Sequence, residues 1–232
     1  MKESVRIYCG YDPRESAGYH TFCQSVMDKA SIPCAFIPLH KPMLEGFDGQ
    51  RDGTNAFIYS RFLVPYLENF RGWAIFADAC DMVVRDDIAK VWNLREQFAF
   101  NKAVAVVKHD YRTKHKRKYI GTQMEADNAN YPRKNWSSFI LFNCAHASNM
   151  RLTPEVVKES PGSFLHRFQW LSDDQIGELP SEWNSLAMEQ DLSDASLIHF
   201  TCGIPGFPHY KHCDGAENWH RAYKRMTHIE TE

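Results

Sequence analysis

The sequence predicts an α/β fold with a mostly parallel central sheet flanked by helices. Three observations carry that prediction. Strand-like apolar runs alternate along the chain with stretches of helical spacing. Two of the runs, "WAIFA" and "SSFILFNC", are apolar almost without a break, as suits strands covered on both faces. The chain has 232 residues, enough for one domain (residues 1–232) with a sizeable core.

The elements follow in order. "VRIYC" is an apolar strand that ends at the turn Gly10-Tyr11-Asp12-Pro13, and apolar spacing at Tyr19, Phe22, Cys23 and Val26 predicts a helix after it. "CAFIPL" supplies a second strand, "LEGFDGQRDGTN" a Gly- and Asp-rich loop, and "AFIYSRFLVPYLENF" a helix apolar on most of its faces. "WAIFA" is the third strand. Beyond it "IAKVWNLREQF" predicts a helix, and "KAVAVVKHD" and "SSFILFNC" buried strands. From Leu152 onward the pattern is helical with Pro breaks, and "SLIHF" is a strand that runs into the loop "TCGIPGFPHYKHC".

No stretch approaches the roughly 18 consecutive apolar residues of a membrane span, and the polar start runs straight into a strand, so no secretory signal is expected. Seven cysteines without a Cys-x-x-Cys pair do not form a disulfide framework, and a reducing cytoplasm is the expected compartment. With 27 basic against 29 acidic side chains, the overall charge gives no reason to expect nucleic acid as a partner.

Asp78 and Asp81 close the third strand, where open α/β sheets place ligands. Unpaired charge at the end of a buried strand is costly, and a hard divalent cation held between carboxylates and a substrate phosphate supplies compensation. Asp86 and Asp87 stand just before a helix and are expected to cap it.

Segments in a fixed order now carry a resemblance. "GWAIFADACDMVV" resembles the acidic strand end of GT-A nucleotide-sugar glycosyltransferases, especially glycosyltransferase family 8 and its bacterial relatives. "IYCGYDPRE" is similar to the family's first strand and loop, "NAFIYSRFLVPYL" to its Arg-bearing helix, and "SSFILFN" to its sugar-pocket strand. "LSDDQIGELPSEWN" resembles its Asp-Gln segment and "HFTCGIPGF" its His-x-x-Gly segment. The resemblance implies a single GT-A domain that transfers a hexose from a UDP-sugar with retention of anomeric configuration. It also implies a manganese or magnesium ion on Asp78, Asp81 and His199. Asp12 would read the base and Tyr11 or Tyr8 stack on it, Arg61 would reach the donor's phosphates or sugar, and Asp174 and Gln175 would contact the sugar beside the reacting carbon. The acceptor, a glycan, lipid-linked or protein, is not specified.

Two departures stand out. Family members carry Asp-x-Asp, whereas Asp78 and Asp81 have two residues between them. Residues three apart in an extended strand point to opposite faces, so both reach one cation only if the chain bulges or turns. The family's Lys-Pro-Trp after the metal His is replaced by Pro205-Gly206-Phe207, and Lys211 or a nearby His is the candidate substitute.

Other readings remain open. His199, Cys202, His209, His212 and Cys213 are potential zinc ligands within one short loop, although their spacing fits no common arrangement. The basic stretch Lys108 to Lys118 is either a solvated loop or a contact for an anionic acceptor. Of the tryptophans, Trp136 is placed for a pocket role, and the others suit the core. The departures also fit a degenerate transferase that binds nucleotide or glycan without turnover, and more weakly a phosphatase-like strand.

Overall fold

Strand β3 (Trp73–Ala77) organises the molecule, because every side chain from Ala74 to Ala77 is fully buried. The computed structural model describes residues 4–44, 47, 55–99 and 101–228, so most of the predicted loop "LEGFDGQRDGTN" lies outside the described residues. β1 (Val5–Gly10) pairs parallel with both β2 (Cys34–Leu39) and β3. β4 (Met82–Val84) follows β3 but leaves the main sheet. β5 (Val104–Val106), the short β6 (Arg117–Lys118) and β7 (Ala126–Asp127), β8 (Phe139–Asn143), β9 (Ile176–Glu178), β10 (Ser185–Leu186) and β11 (Leu197–His199) complete the strands.

The main sheet has six strands in the order β2-β1-β3-β8-β5-β9. Only β8 runs against its neighbours; the other five share one direction, so the sheet is mixed but mostly parallel. A three-stranded sheet, β10-β11-β4, sits beside it and pairs His199 with Met82 in antiparallel register.

The alternation of strand side chains sorts the core onto two faces. Ile7, Cys9, Ile75, Ala105 and Leu141 point toward helix α1 (Ser16–Met27). Tyr8, Phe76, Val104 and Phe142 point toward the turn Ser60–Leu63 and helix α2 (Val64–Leu67). Each fully buried aromatic contributes about 1.5–3 kcal/mol over an exposed one. The predicted helix over 56–70 is thus only two short turns. Pro65 removes a backbone donor at the start of α2, and left-handed Asn69 and Phe70 end it.

Helix α3 (Ile88–Asn93) starts where Asp87 accepts the Ala89 N–H, so the capping expectation holds. Asp86 instead pairs with Lys90 at 2.8 Å. Helices α4 (Arg95–Phe98), α5 (Pro154–Glu159) and α6 (Gly162–His166) are short, and α7 (Ala216–Met226) packs on the small sheet through Trp219 and Ala222. Trp170, Trp183 and Trp219 are core residues. No helix among the described residues is long and apolar enough to cross a membrane, and all seven cysteines are free.

Candidate active site

At the carboxyl end of β3 the chain makes a tight helical turn, Ala79–Asp81, closed by the Asp81 N–H donating to the Asp78 carbonyl at 3.0 Å. This turn resolves the spacing problem. Residues three apart in a strand diverge, whereas three apart in a helical turn they share a side. The Cys80 thiol donates to the Gly10 carbonyl at 3.4 Å and tethers the turn to the end of β1. His199 arrives at the same place because β11 pairs with β4, directly after Asp81, and the Phe200 N–H donates to the Asp81 carbonyl at 2.7 Å.

Asp78, Asp81 and His199 are all buried, and their ligand atoms lie within 4.8 Å of one another. His199 Nδ1 is 3.0 Å from Asn184 Oδ1. The Asn184 amide N–H donates to Ser138 Oγ at 2.8 Å, so its carbonyl oxygen must accept and His199 Nδ1 must carry the proton. That turns Nε2 toward Asp81 Oδ1, 3.3 Å away, and no donor reaches this carboxylate oxygen. A buried carboxylate oxygen facing an oriented imidazole nitrogen is what a metal site looks like from its donors, and two oxygens with one nitrogen suit manganese or magnesium. The residues therefore fit a divalent cation.

Arg61 lies against the second carboxylate. Its Nη1 is 2.8 Å from Asp78 Oδ1 and donates to the Ser137 carbonyl at 2.7 Å, while the rings of Phe57 and Phe76 lie 5.4 and 4.9 Å from the guanidinium carbon. Burial pushes the Asp78 carboxyl up to about 6, with Asp81 adding to it and Arg61 and His199 opposing it. These groups form one wall of a cavity of about 670 Å³, shared with Lys118, Tyr119, Ser137, His166 and Arg167. Burial lowers the Lys118 ammonium below its ordinary value, against the attraction of Asp81 and Asp78. Burial, with Arg61 adding, lowers His166 to about 3, so its ring is neutral; Ser137 Oγ and His166 Nδ1 are 2.7 Å apart.

Among the expected site residues, the cavity gathers Arg61, Asp78, Asp81 and His199. Asp12 is buried nearby. Burial pushes its carboxyl up, but the Arg14 guanidinium and the N–H groups of Arg14 and Ala56 more than offset this and hold it below its ordinary value. Tyr11 packs its ring at 4.8 Å from His40 and edge-on to Tyr19.

Four of the expected residues lie outside the cavity wall. Tyr8 is a core residue whose hydroxyl donates to Glu68 at 2.6 Å. Lys211 is exposed and outside the cavity wall; its carbonyl meets His220 Nε2 at 2.8 Å, and Lys118 is the lysine the cavity receives. Asp174 and Gln175 precede β9 at the opposite edge of the sheet. There Lys102 Nζ donates to the Asp174 carbonyl at 2.6 Å, the Ala103 N–H donates to the Gln175 carbonyl at 2.9 Å, and the Gln175 amide bonds Ser148. The length of a strand, roughly 15 Å, separates them from Asp78. The physical reason is register: β9 runs parallel to β5, so its start lies at the amino ends of the parallel strands.

Asn184, from the same "LSDDQIGELPSEWN" segment, was not singled out and orients His199. The signal was its place in the Trp-Asn pair that the segment shares with the resembled family. Lys118 and Tyr119 were hidden inside the basic stretch, and His166 had no sequence signal. Trp136 donates to the His109 carbonyl at 2.9 Å, and Arg133 lies over its ring, outside the cavity wall.

No family model matches the chain. Protein CDI of Arabidopsis thaliana is 39% identical over 230 residues, covering 94% of this chain and 85% of that protein. The chain belongs to the family of Protein CDI. Its fold is the GT-A fold of nucleotide-sugar glycosyltransferases. The bifunctional glycosyltransferase WbbM superposes with a TM-score of 0.65 at 14% identity, over 96% of this chain and 50% of that one, so the chain spans half the length of WbbM. Galactosyltransferase LgtC, solved with donor and acceptor sugar analogues, gives 0.56 at 15% identity over 97% and 98% of the two chains. GlyE of Streptococcus pneumoniae TIGR4 gives 0.58 at 12% over 96% and 60%.

Proposed function

We propose that the chain is a divalent-cation-dependent glycosyltransferase that moves a hexose from a UDP-sugar to an acceptor, with retention of anomeric configuration. The observation that carries this reading is the convergence of Asp78, Asp81 and His199 in a cavity at the strand ends of a fold shared with glycosyltransferases. Asp78, Asp81 and His199 would hold manganese or magnesium there, which would supply electrostatic stabilisation of charge developing on the departing diphosphate.

The chain's own residues do the rest. Arg61 and Lys118 bring two cations to the cavity and favour an anionic donor. Asn184 holds the His199 ring in one tautomer, and Tyr119, whose hydroxyl is 3.4 Å from Asp81 Oδ2, orients that carboxylate. Asp12 and Tyr11 take the base. The neutral His166 and Ser137 offer hydrogen bonds to sugar hydroxyls without adding charge. Retention rests on the likeness to family 8 enzymes, in which the departing phosphate is proposed to take the acceptor's proton.

One observation favours a second reading. Asp174 and Gln175 lie far from the cavity, which suits a protein that binds a nucleotide-sugar without turning it over. Calorimetric titration of UDP with and without manganese, on wild type and Asp81→Ala, tests the site. Binding that needs metal and disappears in the variant supports it, and binding absent under every condition overturns it. Release of UDP from a screened set of UDP-sugars then separates turnover from binding alone.

A further inference from the structure

Two groups of three metal-ligating side chains converge among the described residues, and the second lies outside the cavity wall: His115, Glu189 and Cys202, with ligand atoms within 4.8 Å of one another. We propose that His115, Glu189 and Cys202 form a zinc site that fastens one wall of the cavity. This inference stands apart from the transferase reading.

The three ligands come from three segments. His115 belongs to the basic stretch that enters β6, Glu189 follows β10, and Cys202 follows β11. Glu189 and Cys202 are buried and His115 is half-exposed, so the cluster sits at the rim with one side open to water. A cysteine, a histidine and a carboxylate with a fourth position taken by solvent are the ligand types zinc accepts. The oxygen-rich Asp78, Asp81 and His199 set favours a harder ion, so the two sites differ in metal preference.

The surroundings hold the ligands in place. The Glu189 carboxylate accepts the Lys114 N–H at 2.9 Å and the Thr113 hydroxyl, which fixes its orientation and leaves lone pairs free on both oxygens. Thr113 Oγ in turn accepts from Asn128 at 2.9 Å. His115 Nε2 meets the Met188 carbonyl at 3.3 Å, which keeps the ring beside Glu189. Met188 itself adopts a left-handed backbone, φ 67°, unusual for a residue with a long side chain.

Burial and the neighbouring Glu189 hold the Cys202 thiol above its ordinary value, so the ion must displace its proton. Binding of Zn²⁺ releases the thiol proton to solvent, and the ion with one thiolate, one carboxylate and a neutral imidazole makes a net-neutral unit at a buried position. An ion there would tie the segment that carries Lys118 and Tyr119 to the loop that carries Thr201, three residues of the cavity wall. The stretch "HFTCGIPGFPHYKHC" thus contributes His199 to one cluster and Cys202 to the other; His209, His212 and Cys213 are not part of either.

The test uses Co²⁺ alone as a probe on chelator-stripped full-length protein, with zinc and manganese as competitors. One equivalent of cobalt is expected to give a thiolate-to-metal charge-transfer band in the near ultraviolet, displaced by zinc and not by manganese. The band is expected to vanish in Cys202→Ser, to need at least tenfold more cobalt in His115→Ala, and to persist in Asp81→Ala. His115 is half-exposed, so its variant decides the matter if Cys202→Ser does not fold. No band in the wild type, or a band unchanged in the ligand variants, overturns the proposal. The Asp81→Ala arm keeps this result independent of the transferase site.

Discussion

Gly18→Ala tests the turn that gathers the two carboxylates. Gly18 lies inside helix α1, where alanine is ordinarily better than glycine by about 1 kcal/mol. Propensity alone therefore predicts a more stable protein. Packing predicts the reverse, because a β-carbon on Gly18 comes within 1.8 Å of the Cys80 carbonyl oxygen. That oxygen belongs to the turn Ala79–Asp81 and must retreat by roughly 1.5 Å to reach ordinary contact. Overpacking of this kind costs about 1–3 kcal/mol and outweighs the helical gain. The displaced turn also carries Asp78 and Asp81, whose metal geometry tolerates only about 0.2 Å. Urea unfolding is expected to show a net loss of up to about 2 kcal/mol once propensity is subtracted, and manganese titration at least a tenfold weaker affinity. A variant as stable as wild type, with unchanged manganese affinity, would falsify the claim that α1 buttresses the site.

Further expectations follow from the same geometry. Asn184→Ala removes the acceptor that sets the His199 tautomer and is expected to weaken manganese binding about 10–100-fold by calorimetry; an unchanged affinity refutes the orienting role. Asp78 has a folded-state carboxyl raised to about 6, above an unfolded value near 4, so it favours folding while protonated and opposes folding as pH rises through that window. Its cost above pH 6 in metal-free protein is on the order of 3 kcal/mol. Asp78→Asn is therefore expected to flatten the fall in melting temperature between pH 4 and pH 7, and manganese to raise the melting temperature of wild type more at pH 7 than at pH 5. Asp174→Ala and Gln175→Ala, at the far edge of the sheet, are expected to leave UDP-sugar turnover within about threefold of wild type; a loss of a hundredfold or more in initial rates returns them to the site.

Much of this architecture was legible in the sequence, and the failures have physical causes. The unbroken apolar run of β3 and the acids at its end follow from burial alone, and Asp87 was recognisable as a cap from its place before "IAKVWN". The direction of β8 was not legible, because a strand covered on both faces is apolar on both faces whichever way it runs. The strand β9, three residues long, was lost inside a helical pattern, since so short a run carries no period.

The site divides along the same line. Asp78, Asp81 and His199 converge because two local devices, a helical turn after β3 and the antiparallel pairing of β11 with β4, act on neighbouring segments. Local devices leave local traces, and the extra residue between the two acids is one. Asp174, Gln175 and Asn184 belong to one segment of 14 residues, yet β9 carries the chain from the amino ends of the parallel strands to their carboxyl ends between them. Which end of that segment reaches the cavity depends on strand direction, a property of the whole sheet. The presence of Lys118 in the same cavity as the carboxylates likewise depends on how a basic stretch folds back over the strand ends, and composition cannot distinguish a lysine turned inward at a cost in desolvation from one left in water.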